Sequence, residues 1–151
     1  MPLHEKHFTL AEARALLNEV RPRVRRLQEC VTLLERKGFR FFGSSPVAIE
    51  LNEIGFSKNG NGKHTFPIEY LELLRLLTEL GTMGIQVKSL AEGLIDFPAI
   101  APWGEEVYLC YLEGEADILF WHPLEGGFQG RQPVDGTFIQ PGTSPGGGTR
   151  S

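Results

Sequence analysis

The stretch Glu105–His122, EEVYLCYLEGEADILFWH, decides the fold because two apolar, aromatic-rich runs flank the polar break Glu113-Gly114-Glu115. β-Branched and aromatic residues favour strands, and a Gly-centred break favours a tight reversal. The stretch therefore predicts a β-hairpin. Both faces of this hairpin are apolar, so we expect helices to cover one face and loops, or a second copy of the chain, to cover the other.

The sequence allows two registers for this hairpin. A three-residue loop over 113–115 places Glu106 opposite His122, whereas a two-residue loop over 114–115 places Val107 there. Side chains alternate between the two faces of a strand, so a slip of one residue moves each of them to the other face. The register therefore decides whether Glu106 can orient the His122 imidazole.

The first helix is predicted by the segment that begins at Thr9. Thr9 with Glu12 three residues later forms a capping box, which marks a helix start. Apolar residues then recur at alternating spacings of three and four: Leu10, Ala13, Leu17, Val20, Val24, Leu27, Val31 and Leu34. Pro22 interrupts the hydrogen-bond ladder but not this stripe, so we predict one kinked helix that ends at Gly38.

A second helix is predicted to begin with Pro67 at its first position and to end at Gly81 or Gly84. Its wide apolar face comprises Tyr70, Leu73, Leu74, Leu77 and Leu80, broadened by Leu71 and Leu76. A face of this width needs cover on more than one side. We expect it to pair antiparallel with the first helix and to contact the sheet or a second protomer.

The rest of the chain is predicted from local composition. Residues 1–7 are expected to be frayed, 46–54 to form a short strand or helical turn, and 57–65 to be a loop. A short strand is expected at 85–87, followed by the first meander strand at 93–99, stopped by Pro98. The predicted fold class is α+β, with two helices packed on a small antiparallel meander. We expect a single domain over 1–139, followed by a disordered tail over 140–151.

Composition and charge limit the possible functions. The chain has 151 residues, 41% hydrophobic and 23% charged, with a formal net charge of −4. This composition predicts a packed core, and the mild acidic balance argues against nucleic-acid binding. The arginines of the first helix alternate with glutamates, which is typical of a solvated face. The apolar runs are too short to cross a bilayer. The two cysteines are far apart in sequence and the N-terminal residues do not resemble a signal peptide, so we expect a reducing, cytoplasmic location.

Five polar residues in or near the hairpin are candidate ligand-binding residues: Asp96, Glu106, Glu115, His122 and Arg131. Asp96 lies in an apolar strand and therefore needs a hydrogen-bonding or cationic partner, for which Arg131 is the preferred candidate. His122 ends the second hairpin strand and could act as a base or a ligand. For both residues a structural role, as a strut or a backbone-bonded strand end, is the alternative.

Cys110 and the polar turn raise further alternatives. Cys110, His122 and Asp96 are residue types that could bind a metal or form a catalytic group with a cysteine nucleophile. No two of them are separated by the two or three residues that are typical of metal-ligand pairs, so no metal or other cofactor is predicted. Glu113 and Glu115 could form an acid pair, although turns are simply polar. The Gly-rich segment 126–131 lacks the Lys-Ser/Thr and the helix that a phosphate-binding loop requires.

Three blocks of sequence carry a family resemblance: FTLAEARALLNEVRP at Phe8–Pro22, GLIDFPA at Gly93–Ala99 and YLCYLEGEADILFWHPLEGGFQGRQP at Tyr108–Pro133. In these blocks the chain resembles the bacterial family of domain-of-unknown-function 2203 proteins. The resemblance implies a shape and no activity or catalytic residue. In similar chains a Trp often occupies the place of Tyr111, which keeps the aromatic surface.

Two functional hypotheses follow. The leading one is a non-catalytic cytoplasmic binding or protein-interaction module that self-associates as a homodimer, because extensive apolar faces occur without a catalytic spacing. The rival is a small enzyme or metal-binding protein with a site near Asp96, Cys110, His122 and Arg131. Asp96 and His122 side chains within hydrogen-bonding distance in an open pocket would favour the rival.

Overall fold

The computed structural model describes residues 2–43, 45–48, 57–58, 64–136 and 138. Two helices occur, α1 (Leu10–Arg36) and α2 (Ile68–Thr82). The strands are β1 (Phe39–Phe42), β2 (Ser45–Ala48), β3 (Ser57–Lys58), β4 (His64–Thr65), β5 (Gln86–Ser89), β6 (Leu94–Ile100), β7 (Glu106–Leu112), β8 (Phe120–Pro123) and β9 (Gln132–Pro133). The predicted α+β class is confirmed. The predicted tail over 140–151 and parts of 46–54 and 57–65 lie outside the described residues.

Helix α1 begins and packs as the sequence predicts. The Thr9 side chain accepts a hydrogen bond from the Glu12 backbone, and the Glu12 carboxylate accepts one from the Thr9 backbone, which completes the capping box. The helix continues through Pro22 and ends at Arg36, two residues before Gly38. Its buried stripe consists of Ala13, Leu17, Val20, Val24, Leu27, Cys30, Val31 and Leu34. The predicted boundaries are therefore correct within two residues.

Helix α2 pairs antiparallel with α1, and ion pairs show the direction. Arg23 binds Glu79, Arg26 binds Glu72 and Lys37 binds Glu69, so ascending positions on α1 meet descending positions on α2. Pro67 is the N-cap rather than the first helical residue. Within the predicted apolar face, Leu73, Leu76 and Leu80 are buried, whereas Leu71 and Leu74 are exposed in the single chain.

The main sheet is a five-stranded antiparallel meander in the order β5-β6-β7-β8-β9. Strand β6 continues through Pro98 to Ile100, so the prediction that Pro98 stops this strand is wrong. Both predicted hairpin registers are also wrong, because Tyr108 lies opposite His122. Seven residues, 113–119, separate β7 from β8 instead of two or three. Compared with the three-residue loop, the longer connection shifts the pairing of β7 and β8 by two residues. Each side chain therefore stays on the face of the sheet that the three-residue loop predicts, but it lies opposite a different residue.

The two faces of the sheet have different cover. One face contributes apolar side chains to the core formed with α1 and α2: Ile95, Phe97, Ala99, Val107, Leu109, Tyr111 and Trp121. The register places Asp96, Tyr108, Cys110 and His122 on the opposite face. Segments of the same chain cover this second face, namely the N-terminal residues and the segment that contains Arg131. A second copy of the chain is therefore not needed there.

The N-terminal residues are bound to the sheet, so the expectation that 1–7 are frayed is wrong for the described part. The backbone N–H groups of Leu3 and His4 donate to the Glu106 carboxylate, at 2.6 and 2.9 Å. The N–H of Phe8 donates to the Pro98 carbonyl at 2.7 Å. Residues 2–8 thus form a strap across β6 and β7, which we call the N-terminal strap.

Candidate functional site

Asp96 on β6 and His122 on β8 form a buried pair. His122 Nε2 lies 2.9 Å from Asp96 Oδ2, and Nδ1 lies 2.7 Å from the Pro123 carbonyl oxygen. The relative exposures of Asp96 and His122 are 1% and 3%. Burial by itself lowers the pKa of His122, but the hydrogen bond and charge of Asp96, together with the Pro123 carbonyl, raise it above its ordinary value. Because both ring nitrogens face acceptors, the geometry suits a protonated imidazole.

Cys110 on β7 completes a cluster with this pair. It lies opposite Asp96 in the ladder, and one donor atom from each of Asp96, Cys110 and His122 lies within 4.8 Å of the others. Burial raises the pKa of the Cys110 thiol, and the negative charge of Asp96 raises it further. A thiol held protonated in this way is a poor nucleophile. The arrangement therefore disfavours a cysteine-based catalytic set.

Tyr108 and the N-terminal strap form one edge of the cluster. The Tyr108 ring lies 5.4 Å from the His122 ring, and its hydroxyl lies 2.6 Å from His4 Nε2. Lys88 places its ammonium 4.3 Å from the centre of the Tyr108 ring. Sequence reasoning missed His4, Tyr108 and Lys88, because no local pattern shows which residues long-range pairing brings beside His122.

Arg131 and Glu115 form a second pair on the same face. Arg131 Nη2 donates to both Glu115 carboxylate oxygens, at 2.7 and 2.8 Å. The guanidinium lies between the rings of Phe120 and Phe128, 4.1 and 4.7 Å from their centres. Phe120 lies opposite Cys110 in the ladder, so this pair adjoins the cluster. The prediction that Arg131 is the partner of Asp96 is wrong, since His122 takes that place.

Glu106 stands apart from the cluster and holds the N-terminal strap. It accepts hydrogen bonds from the backbone of Leu3 and His4 and contacts His7 Nε2 at 2.8 Å. Partial burial by itself would raise the pKa of Glu106, but these hydrogen bonds outweigh it and lower the pKa to about 2. The contact between Glu106 and His122 that a three-residue loop would have allowed does not occur in the observed register.

The remaining predicted residues have structural contacts. Glu113 binds Arg25 at 2.9 Å, and Glu115 binds Arg131, so the two carboxylates of the turn have separate partners. A shallow groove on the outer face of α1 is lined by Arg25, Arg26, Gln28, Glu29, Thr32, Leu33 and Arg36. None of the candidate site residues lines this groove. The enzyme or metal-site hypothesis required Asp96 and His122 to lie within hydrogen-bonding distance in an open pocket. The distance is met, but both side chains are buried rather than in an open pocket.

The model of the family described as "Uncharacterized conserved protein (DUF2203)" matches residues 6–134. The chain belongs to this family. The match includes α1, α2, the main sheet and all five candidate site residues. It confirms the resemblance found in the sequence and assigns no activity.

No curated protein and no solved structure gives a significant match to the chain. Neither helix in the described part of the chain combines the length and apolarity that crossing a membrane requires. The geometry of the side chains is therefore the basis for any functional proposal.

Proposed function

We propose that this protein is a non-catalytic interaction module that self-associates through the outer face of α2. The observation that carries the proposal is the composition of that face. Its exposed positions are Ile68, Leu71, Leu74, Arg75, Thr78, Gly81 and Thr82. Ile68, Leu71 and Leu74 are 71%, 50% and 38% exposed. A solvated helix face normally carries several charged side chains, whereas this one carries a single charge.

The charged group and one of the two hydroxyl groups of this face already have partners within the chain. Arg75 binds Glu79 at 2.5 Å, one turn further along the helix. The Thr78 hydroxyl donates to the Leu74 carbonyl at 2.9 Å. Docking against another apolar surface would therefore leave few new unsatisfied groups, which keeps the cost of dehydration low.

The distribution of side-chain size along α2 favours a second copy of the chain as the partner. Bulky residues occupy the N-terminal half of the face, and small residues occupy the C-terminal half. In an antiparallel two-fold pair, Ile68 of each copy faces Gly81 and Thr82 of the other, and Leu71 faces Thr78. The space above Gly81 is empty, since a Cβ there would meet nothing within 4 Å. A self-complementary face of this kind is what a two-fold interface requires.

The burial of the other candidate site supports a non-catalytic role. Asp96, Cys110 and His122 are at most 3% exposed, so a substrate cannot reach them in this conformation. The proposal includes a cytoplasmic location, which the two free thiols Cys30 and Cys110 support.

Size-exclusion chromatography with light scattering tests the proposal. A 15-residue helix is about 22 Å long and supplies only part of the ~800 Å² per partner of a standard interface, so we expect a dimer with micromolar affinity. Leu71→Arg should give a monomer, because it buries a charge in the interface. Leu119→Arg is the matched control, since Leu119 is 41% exposed, close to the 50% of Leu71, but lies outside α2, and it should remain dimeric.

A second variant fills the space that the partner should occupy. Gly81→Leu should leave the monomer folded, because its Cβ has open space, yet it should abolish the dimer by a clash with Ile68 of the other copy. A wild-type protein that is monomeric at roughly 100 μM, well above a micromolar dissociation constant, would refute the proposal. A dimer that both variants leave intact would refute the assignment of α2.

A further inference from the structure

We infer that Asp96, Cys110 and His122 form a binding site for a divalent transition-metal ion of the Zn²⁺ class. The site is independent of the α2 face. The three residues lie on the adjacent strands β6, β7 and β8, and their side chains share one face of the sheet. One donor atom from each, a carboxylate oxygen, Sγ and a ring nitrogen, lies within 4.8 Å of the other two. Three rigid central strands thus hold an oxygen, a sulfur and a nitrogen ligand together.

The separations suit a tetrahedral ion after a small movement. Metal–ligand bonds of about 2.0–2.3 Å in a tetrahedron give ligand–ligand separations of about 3.3–3.8 Å. The observed separations extend from 2.9 Å, between His122 Nε2 and Asp96 Oδ2, to no more than 4.8 Å. Each atom therefore has to move by about 1 Å or less, which side-chain rotation can supply without a change in the sheet.

The imidazole is oriented as metal-binding histidines are. His122 Nδ1 lies 2.7 Å from the Pro123 carbonyl oxygen, a contact that requires Nδ1 to donate its hydrogen. This hydrogen bond fixes the ring and directs Nε2 toward Asp96 and Cys110. Metal-bound histidines commonly donate their second ring N–H to a backbone carbonyl in the same way.

One buried oxygen of the cluster is unsatisfied without a cation. Asp96 Oδ1 is buried and has no hydrogen-bond partner, which is costly for a carboxylate oxygen. Cys110 is fully buried beside this carboxylate. A divalent ion would displace the Cys110 thiol proton and the Nε2 proton of His122, and one carboxylate with one thiolate would then neutralise the charge of the ion. A neutral complex suits a site that is closed to bulk water.

The ligand set selects the class of metal. Mg²⁺ and Ca²⁺ prefer oxygen ligands, whereas a set of thiolate, imidazole and carboxylate is typical of Zn²⁺ and related ions. Three protein ligands leave one position of a tetrahedral ion for water or a small ligand. Tyr108 and the N-terminal strap lie over the His122 side of the cluster and would control access to that position.

Titration of the metal-free full chain with Co²⁺, followed by competition with Zn²⁺, tests the site. We expect one equivalent of Co²⁺ to produce thiolate-to-cobalt charge-transfer absorption, which Zn²⁺ then removes. Cys110→Ala should lose this absorption and weaken Zn²⁺ binding by more than about 100-fold, beyond the 10–100-fold effect of a residue that only supports a ligand. Cys30→Ala is the matched control, because Cys30 is equally buried but packs in α1, and it should behave as wild type.

A second variant covers the case in which Cys110→Ala fails to fold. Asp96→Asn keeps the side-chain shape, so a folded Asp96→Asn protein should retain sulfur-to-cobalt absorption only at much higher Co²⁺ concentration. Thermal unfolding with and without Zn²⁺ gives an independent measure, since a bound ion should raise Tm in wild type and in Cys30→Ala alone. The absence of charge-transfer absorption at saturating Co²⁺, or its persistence in Cys110→Ala, would overturn the assignment. Neither result depends on the oligomeric state, so this site and the α2 dimer can fail separately.

Discussion

Removal of Asp96 should destabilise the metal-free protein more than removal of any exposed acidic residue. The His122–Asp96 contact of 2.9 Å corresponds to an attraction of about 6 kcal/mol at an effective dielectric constant of about 20. Dehydration of two ions offsets several kcal/mol of this attraction, so the intact pair contributes little net stability. Asp96→Ala, however, leaves the imidazole buried without its acceptor. The expected loss is therefore about 3–5 kcal/mol in the free energy of unfolding.

Urea unfolding in the presence of a chelator measures this loss, and a double-mutant cycle assigns it. His122→Ala with Asp96→Ala removes both members, so the double variant should be more stable than the sum of the single losses predicts. We expect a coupling energy of about 2–3 kcal/mol for the buried pair. Glu79→Ala is the matched control, because Glu79 pairs with Arg23 and Arg75 at the surface, and its loss should be clearly smaller than that of Asp96→Ala.

A loss from Asp96→Ala no larger than that from Glu79→Ala would refute the stabilising role of this buried carboxylate. Losses of the two single variants that simply add would refute the coupling, because the two side chains would then be energetically independent despite the short contact. A coupling energy measured in both the presence and the absence of Zn²⁺ would further separate the contribution of the pair from that of a bound ion.

Three other perturbations have defined outcomes. Because the pKa of Glu106 is lowered on folding, this carboxylate contributes stability that is present above about pH 4.5 and is lost as the pH falls toward 2. Glu106→Gln should therefore make the free energy of unfolding less dependent on pH in this range. An unchanged dependence would contradict this role. Thr9→Ala removes the capping box of α1 and should cost about 1 kcal/mol in chemical denaturation, with Thr9→Ser as the conservative control. Phe97→Ala empties a fully buried position and should cost about 3–5 kcal/mol; a loss below 1 kcal/mol would show that the core is not packed as described.

Features that depend on local sequence were predictable. Thr9 and Glu12 mark the start of α1 because a capping box involves residues only three positions apart. The apolar stripe of α1 is buried as predicted from Ala13 to Leu34, because its spacing repeats along the helix, whereas Leu10 is only partly buried. The positions of β6, β7 and β8 were likewise evident from β-branched and aromatic residues, but β9 was not predicted. The candidate site was predicted in part, since Asp96, Cys110 and His122 were identified by residue type in an apolar setting.

Features that depend on distant contacts were not predictable. The seven-residue connection 113–119 sets the register of β7 and β8, and nothing local distinguishes it from a shorter turn. For the same reason Asp96 could not be matched with His122 rather than with Arg131. The outward direction of Leu74 was also hidden, because leucines occupy positions 71, 73, 74, 76 and 77, and the helical phase is fixed only by contact with α1.

The hairpin Glu106–Pro123 contains both kinds of information. Its sequence by itself determined that two strands form, that they are buried on both faces, and that Cys110 and His122 lie within them. Only the tertiary structure decided that β6 brings Asp96 opposite Cys110 and next to His122, and that the N-terminal strap binds Glu106. The physical reason is that strand formation depends on neighbouring residues, whereas the meeting of side chains 26 positions apart depends on register, which the whole packed sheet sets.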